Sequence, residues 1–195
     1  MVIRKIFIFI ILSVVLVSCS NTSTQSPTQT PTPTQVPLSE INLEPVLVQT
    51  GDLPAGYSGS QISDIDLSWI DFLQYKGVNR IQQLFEKDGK PSGSVQVILF
   101  DEINQVDNSY SKYKEFFEKD SKIIAEDDFS KGELTDIGDK AIYSSHNYLG
   151  ISTIAIIFTR CNSLVNISFG DTNTLQYISA YAKRLDKRLS ELVCR

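Results

Sequence analysis

Three cysteines, one histidine and a few groups of carboxylates and aromatics are the residues of this 195-residue chain that could do chemistry. Cys19 closes the stretch Leu16-Val17-Ser18-Cys19, after an almost unbroken apolar run from Ile6 to Val17 that follows Arg4 and Lys5. A basic start, an apolar run and a small residue at its end are the layout of a secretory leader, so Cys19 stands where cleavage falls. Cys161 and Cys194 lie far beyond it. Outside the cytoplasm disulfides persist, and two cysteines permit one bridge, from a hairpin near 160–163 to the end of a C-terminal helix. Closing such a loop of about 30 residues is worth roughly 3–4 kcal/mol. The alternative leaves two free thiols. The spacing of Cys161, Cys194 and His146 matches no zinc pattern, so no metal is assigned.

His146 is the single histidine, in Tyr143-Ser144-Ser145-His146-Asn147-Tyr148. A histidine beside serines suggests a general base with a nucleophile. A Ser-His-Asp triad would use Ser144 or Ser145, but neighbours in a strand point to opposite faces and cannot easily hold a base-to-nucleophile hydrogen bond. A nucleophile-elbow motif is missing as well. The acidic groups Asp101/Glu102/Asp107 and Glu126/Asp127/Asp128 do not follow the offsets of a calcium loop and read as solvated faces. Paired carboxylates for glycoside hydrolysis stay open, with nothing to select a pair. Among the aromatics, Trp69, Tyr57 and Tyr75 are candidates to line a ligand groove, although most aromatics here fall at core periodicity. Phe116 and Trp69 are those expected to spill onto the surface. There is no phosphate-cradling glycine loop, and no cofactor is assigned.

The residues around Cys19 resemble the lipobox of bacterial lipoproteins: a Leu, two mostly small residues, then the cysteine that takes the lipid. The resemblance implies that residues 1–18 are removed, that Cys19 is diacylated, and that the mature chain is membrane-anchored at its N-terminus. The apolar run of roughly a dozen residues is too short for a spanning helix, which needs about 20. An ordinary cleaved leader, with Cys19 incidental, is the alternative. Further on, Asp52-Leu53-Pro54-Ala55-Gly56-Tyr57 resembles the Asp-Leu-Pro-x-Gly-Phe/Tyr opening of many small bacterial lipoproteins of unknown function, in which a sheet and a terminal helix follow. In two-membrane bacteria, Ser20 in place of an aspartate after the lipidated cysteine implies an outer-membrane destination. In a one-membrane cell the destination is the outer face of the cell membrane.

These residues need elements to hold them. Residues 19–38, rich in Ser, Thr, Pro and Gln and free of charge, cannot bury enough surface to order themselves. They read as a tether, reaching roughly 60 Å if extended at 3.1 Å per residue. Residues 39–195 are expected to form one α+β domain. Within it, Ile41–Gln49 reads as a short helix interrupted or started at Pro45. Val78–Glu86 alternates as a strand, Lys87–Gly93 reads as a turn, and Val95–Phe100 is a β-branched strand. Ile103, Val106, Tyr110, Tyr113 and Phe117 mark one face of a helix of about 15 residues. Asp127–Gly138 reads as an acidic loop. Strands follow at Ala141–Tyr143, Ile151–Thr159 and Leu164–Phe169, and Leu175 to Leu192 keeps helical spacing. Strands followed by one helix occur twice, which predicts an antiparallel sheet with helices packed on one face, possibly built as two halves.

The formal net charge is −5. The leader holds two basic residues and no acid, so the mature chain carries 16 basic against 23 acidic residues, a net of −7. Such a chain is repelled by phosphate backbones, which excludes nucleic acid as a natural partner. The same charge keeps the domain off an anionic membrane, so attachment falls to the lipid on Cys19; two acyl chains hold stably where one does not. Three functions remain: a non-catalytic binding or interaction module for an envelope protein or a small extracellular ligand, an envelope hydrolase using carboxylates, and a structural subunit of an envelope complex.

Overall fold

A computed structural model describes residues 36–49, 51–65, 74–120, 129–148, 151–170 and 175–194. The strands are β1 (Tyr57–Ser63), β2 (Asn79–Lys87), β3 (Lys90–Leu99), β4 (Phe129–Glu133), β5 (Lys140–Tyr148), β6 (Ile151–Arg160) and β7 (Ser163–Gly170). The helices are α1 (Ile103–Asp120), after β3, and α2 (Leu175–Val193), after β7. All seven strands join one antiparallel sheet in the order β1-β2-β3-β7-β6-β5-β4. An α+β architecture is therefore present, with strands then a helix occurring twice along the chain.

The expectation that both helices cover one face is overturned. Val97 and Leu99 of β3 belong to the core that includes Ile178, Tyr181, Leu185 and Leu189 of α2. Ile98 and the adjoining Phe100 belong to a second core, with Val106, Tyr110, Tyr113 and Phe117 of α1. Because successive side chains of a strand point to opposite faces, α1 and α2 sandwich the sheet. The physical reason lies in the central strands. Val97-Ile98-Leu99-Phe100 and Ile156-Ile157-Phe158 are apolar at every position and buried throughout, so they need cover on both sides. Neighbouring antiparallel strands are related by two-folds perpendicular to the sheet, which would leave both helices on the same side. The two halves are therefore not a two-fold pair.

Three local expectations also change. The turn at 87–93 shrinks to Asp88-Gly89, both with positive φ (52° and 74°), the conformation a tight two-residue hairpin favours. The following residues enter β3, and the register shift between Phe85 and Glu86 accommodates Pro91. Within 127–138, β4 occupies Phe129–Glu133. The helix expected near 41–49 is a single 3-10 turn at Glu44–Val46.

The N-terminal segment is fastened by side chains. Asn79 Nδ2 donates to the carbonyls of Leu38 and Ile41 at 3.1 and 2.7 Å, and Val48 N–H donates to Gln83 Oε1 at 3.0 Å. The motif at 52–57 also has a role in folding. Asp52 is 8% exposed. It accepts from Gln49 N–H at 2.8 Å, from Arg184 Nε at 3.2 Å and from Arg188 Nη2, which ties the turn to α2. Gly56 adopts φ +85°, a conformation that costs glycine nothing. Tyr57 then packs edge-on to Phe169, ring centroids 5.7 Å apart.

Cys161 and Cys194 form the disulfide, with Cα atoms 5.7 Å apart. It joins the β6–β7 turn to the end of α2. Cys161 sits at φ +50°, a region non-glycine residues avoid, and its N–H is held by Asp139 Oδ2 at 2.7 Å. Arg160 bridges Asp139 Oδ1 (2.8 Å) and Asp186 Oδ2 (2.6 Å), and Gly138 N–H donates to Asp186. The hydrogen bond to Asp186 holds the Arg160 guanidinium above its usual pKa.

Candidate functional site

The two sheet edges differ. β1 pairs with β2 through an irregularity between Gly59 and Ile62, the kind of bulge that turns an edge away from further pairing. β4 pairs with β5 in unbroken register from Phe129↔His146 to Glu133↔Ile142. Just past it, Leu134 N–H donates to the Ala141 carbonyl at 3.0 Å. In an antiparallel ladder successive residues point their backbone groups to alternate sides. Gly132 and Ser130 are therefore in phase with Leu134 and turn toward β5. Phe129, Lys131 and Glu133 present N–H and C=O to the other side, an edge that is open among the described residues.

A groove runs beside this edge, between β4–β5 and α1. One part is a mainly apolar cavity of about 230 Å³ lined by Lys114, Phe117, Lys131, Gly132, Ile142 and Tyr143, among others. A more polar cavity of about 430 Å³ adjoins it through the shared residues Lys114 and Glu133, with Tyr110, Lys140 and Ala141 in its wall. Gly132 has a packing reason: a Cβ there would lie 2.7 Å from Tyr143 Cε1, so the ring covers the glycine. Lys114 Nζ reaches Glu133 Oε1 at 3.2 Å across the groove, and Lys140 Nζ reaches Asp107 at 2.6 Å. Burial, with a smaller contribution from Glu133, pushes the Tyr110 hydroxyl up to about 12, so it stays protonated and able to donate. The arrangement offers unpaired backbone, charges of both signs and an apolar floor, which suits holding an extended polypeptide.

The sequence candidates are scattered. Cys19 and Trp69 lie outside the described residues. Tyr57 packs against the α2-side core and Tyr75 against the α1-side core, so these two do not share a pocket. His146 on β5 faces the same side as buried Ser144 and pairs with Thr153 and Phe129, while Ser145 points to the other side. Asp107 is in an ion pair, and Glu126, Asp127 and Asp128 lie outside the described residues. Asp139 and Asp186 do converge, and both are bound by Arg160. Phe116 is 42% exposed, as expected. Among the described residues no group of His, Cys, Asp and Glu is placed to hold a metal ion, and no helix is long and apolar enough to cross a membrane. Lys131, Gly132 and Glu133 escaped sequence reasoning because a short polar strand has no hydrophobic alternation to reveal it.

No protein-family model and no curated protein matches the chain. A crystal structure of a GTP binding regulator from Thermotoga maritima is similar over 70% of this chain and 82% of its own, at 18% identity and a TM-score of 0.38. That likeness carries no functional argument.

Proposed function

We propose that this chain is a lipid-anchored extracytoplasmic interaction module, held at a membrane by diacylated Cys19 and binding an envelope protein along the β4 edge. The lipobox residues and the uncharged Ser/Thr/Pro tether support the anchor. The observation that carries the binding role is the open β4 edge with its adjoining groove, where unpaired backbone and an amphipathic cavity lie side by side. An extended segment laid on that edge gains main-chain hydrogen bonds and can set alternate side chains into the groove. The hydrolase alternative needs two carboxylates free to act across a cleft, whereas Asp139 and Asp186 are both bound to one guanidinium.

Two experiments test the two halves of this proposal. Cys19→Ala moves the chain from the membrane fraction to the soluble one; retention at the membrane refutes lipid anchoring. In-cell photocrosslinking from Lys114 or Glu118 captures an envelope protein, whereas the same probe at Tyr177, 60% exposed on α2, does not. Adducts from Tyr177 alone, or none from the groove, refute the binding surface.

A further inference from the structure

We infer that the partner along the β4 edge is a second copy of this chain, paired antiparallel about a two-fold axis at Gly132. The inference rests on the β4 edge being the binding surface, and it follows from the edge's own chemistry. Lys131 and Glu133 both direct N–H and C=O outward, by the phase that the Leu134–Ala141 hydrogen bond sets. Both place their side chains on the α1 side of the sheet: Glu133 meets Lys114 there, and Lys131 is two residues away on the same strand.

With the axis at Gly132, Lys131 faces Glu133 of the second copy, and Glu133 faces Lys131 of the second copy. Each such pair consists of two outward-pointing residues, so each makes the reciprocal pair of backbone hydrogen bonds that an antiparallel ladder requires. Gly132 then faces Gly132 of the second copy at a non-hydrogen-bonded position, where strands approach most closely and a glycine leaves room. The charges are complementary in the same register. Opposite charges directly across a strand pair stabilise it, and like charges destabilise it.

Charge at an edge normally blocks a second copy, because identical strands bring identical charges together. Here Lys131 and Glu133, two residues apart around a glycine, do the reverse. The β1 edge, by contrast, carries the bulge at Gly59/Ile62. The contact is isologous and closes at two copies, since each chain contributes the one edge that is regular among the described residues. It is also short: with the axis at Gly132 only Lys131–Glu133 of β4 face the same residues of the second copy, about 10 Å at 3.4 Å each. A contact of that length is weak in dilute solution and gains from confinement to a membrane surface, which raises the effective concentration of each chain for the next.

The test is zero-length carbodiimide crosslinking in whole cells expressing the full chain, with fractionation of the same cells. A dimer-sized species containing a Lys131–Glu133 inter-chain peptide is expected. Lys131→Glu alone and Glu133→Lys alone each place like charges across the axis and abolish the homodimer, read as lost co-purification of two differently tagged copies of the same variant, since each change also removes a group the crosslinker needs. Differently tagged K131E and E133K chains expressed together restore a crosslink, now only between the two variants, because each supplies the charges the other needs. Thermal melting of both variants checks that each is folded. Lys131→Pro removes an outward N–H without touching the β5 ladder; because it also removes the crosslinking amine, it is read by co-purification of two differently tagged K131P chains, which is lost while the melt stays within a few degrees. A wild-type chain without the dimer, or single variants whose tagged copies co-purify as well as those of the wild type, overturns the inference. Fractionation reads the anchor separately: a crosslinked dimer in the soluble fraction refutes the lipid and keeps the pairing, and an uncrosslinked chain at the membrane does the opposite.

Discussion

Removing the disulfide tests how the terminal helix is held. The perturbation is the double change Cys161→Ser, Cys194→Ser. The bridge closes a loop with a sequence separation of 33. On the chain-entropy relation that restricts the unfolded chain by about 3.7 kcal/mol. The folded state loses little, because the β6–β7 turn stays clamped by the Asp139 carboxylate on Cys161 N–H and by Arg160 between Asp139 and Asp186. Leu189 and Val193 also keep the end of α2 on the sheet. The effect therefore falls mainly on the unfolded ensemble. In urea unfolding, stability drops by about 3–4 kcal/mol and the m-value rises, because the unlinked unfolded chain exposes more surface. The melting temperature falls by roughly 8–15 °C, at 2–4 °C per kcal/mol for a domain of this size. A loss under about 1 kcal/mol with an unchanged m-value would refute the chain-entropy reasoning. A loss with a lower m-value would show instead that the bridge holds native structure together.

Asp52→Ala removes the carboxylate partner of Arg188, which keeps the Val46, Leu47 and Arg184 carbonyls, leaves the Gln49 N–H without its acceptor, and costs about 3 kcal/mol in denaturant unfolding; Arg184, half exposed, adds little to that. Asp52→Asn recovers part of the loss, since it can still accept from Gln49. Gly138→Ala costs about 3 kcal/mol by the same measurement, because φ is +61° and the new Cβ would lie 2.3 Å from the Thr159 carbonyl oxygen. At alkaline pH the Tyr110 proton is held more tightly in the folded state, up to about 12, than in the unfolded chain, near 10. Its contribution is complete below pH 10 and is lost as pH rises from 10 through 12. Burial raises Tyr113 and Tyr181 as well, so phenolate absorbance should develop together with unfolding, and Tyr110→Phe should flatten the pH slope of stability.

Much of the fold was legible where one physical signal dominates. β-branched runs marked β3, β6 and β7, helical spacing marked α1 and α2, and the two cysteines that remain after Cys19 pointed to the bridge that forms. Legibility failed where residues are polar or where one turn competes with another. Tyr57–Ser63 contains Ser-Gly-Ser-Gln and is a strand only because β2 offers it hydrogen bonds. Phe129–Glu133 is one only because β5 does. The seven-residue turn expected at 87–93 lost to Asp88-Gly89, whose positive φ values let the chain reverse in two residues.

By itself the sequence determined the uncharged Ser/Thr/Pro/Gln composition of residues 20–38, the acidic balance and the succession of strands and helices apart from β1 and β4. Each depends on local composition or periodicity, which a chain carries before it folds. Tertiary structure alone decided that α1 and α2 take opposite faces, that Asp52 reaches two arginines of α2, and that Lys131, Gly132 and Glu133 lie on an open edge beside a groove. Those facts depend on which strands become neighbours. A residue is at an edge or in a centre only relative to partners far away in the chain, and no local pattern encodes that.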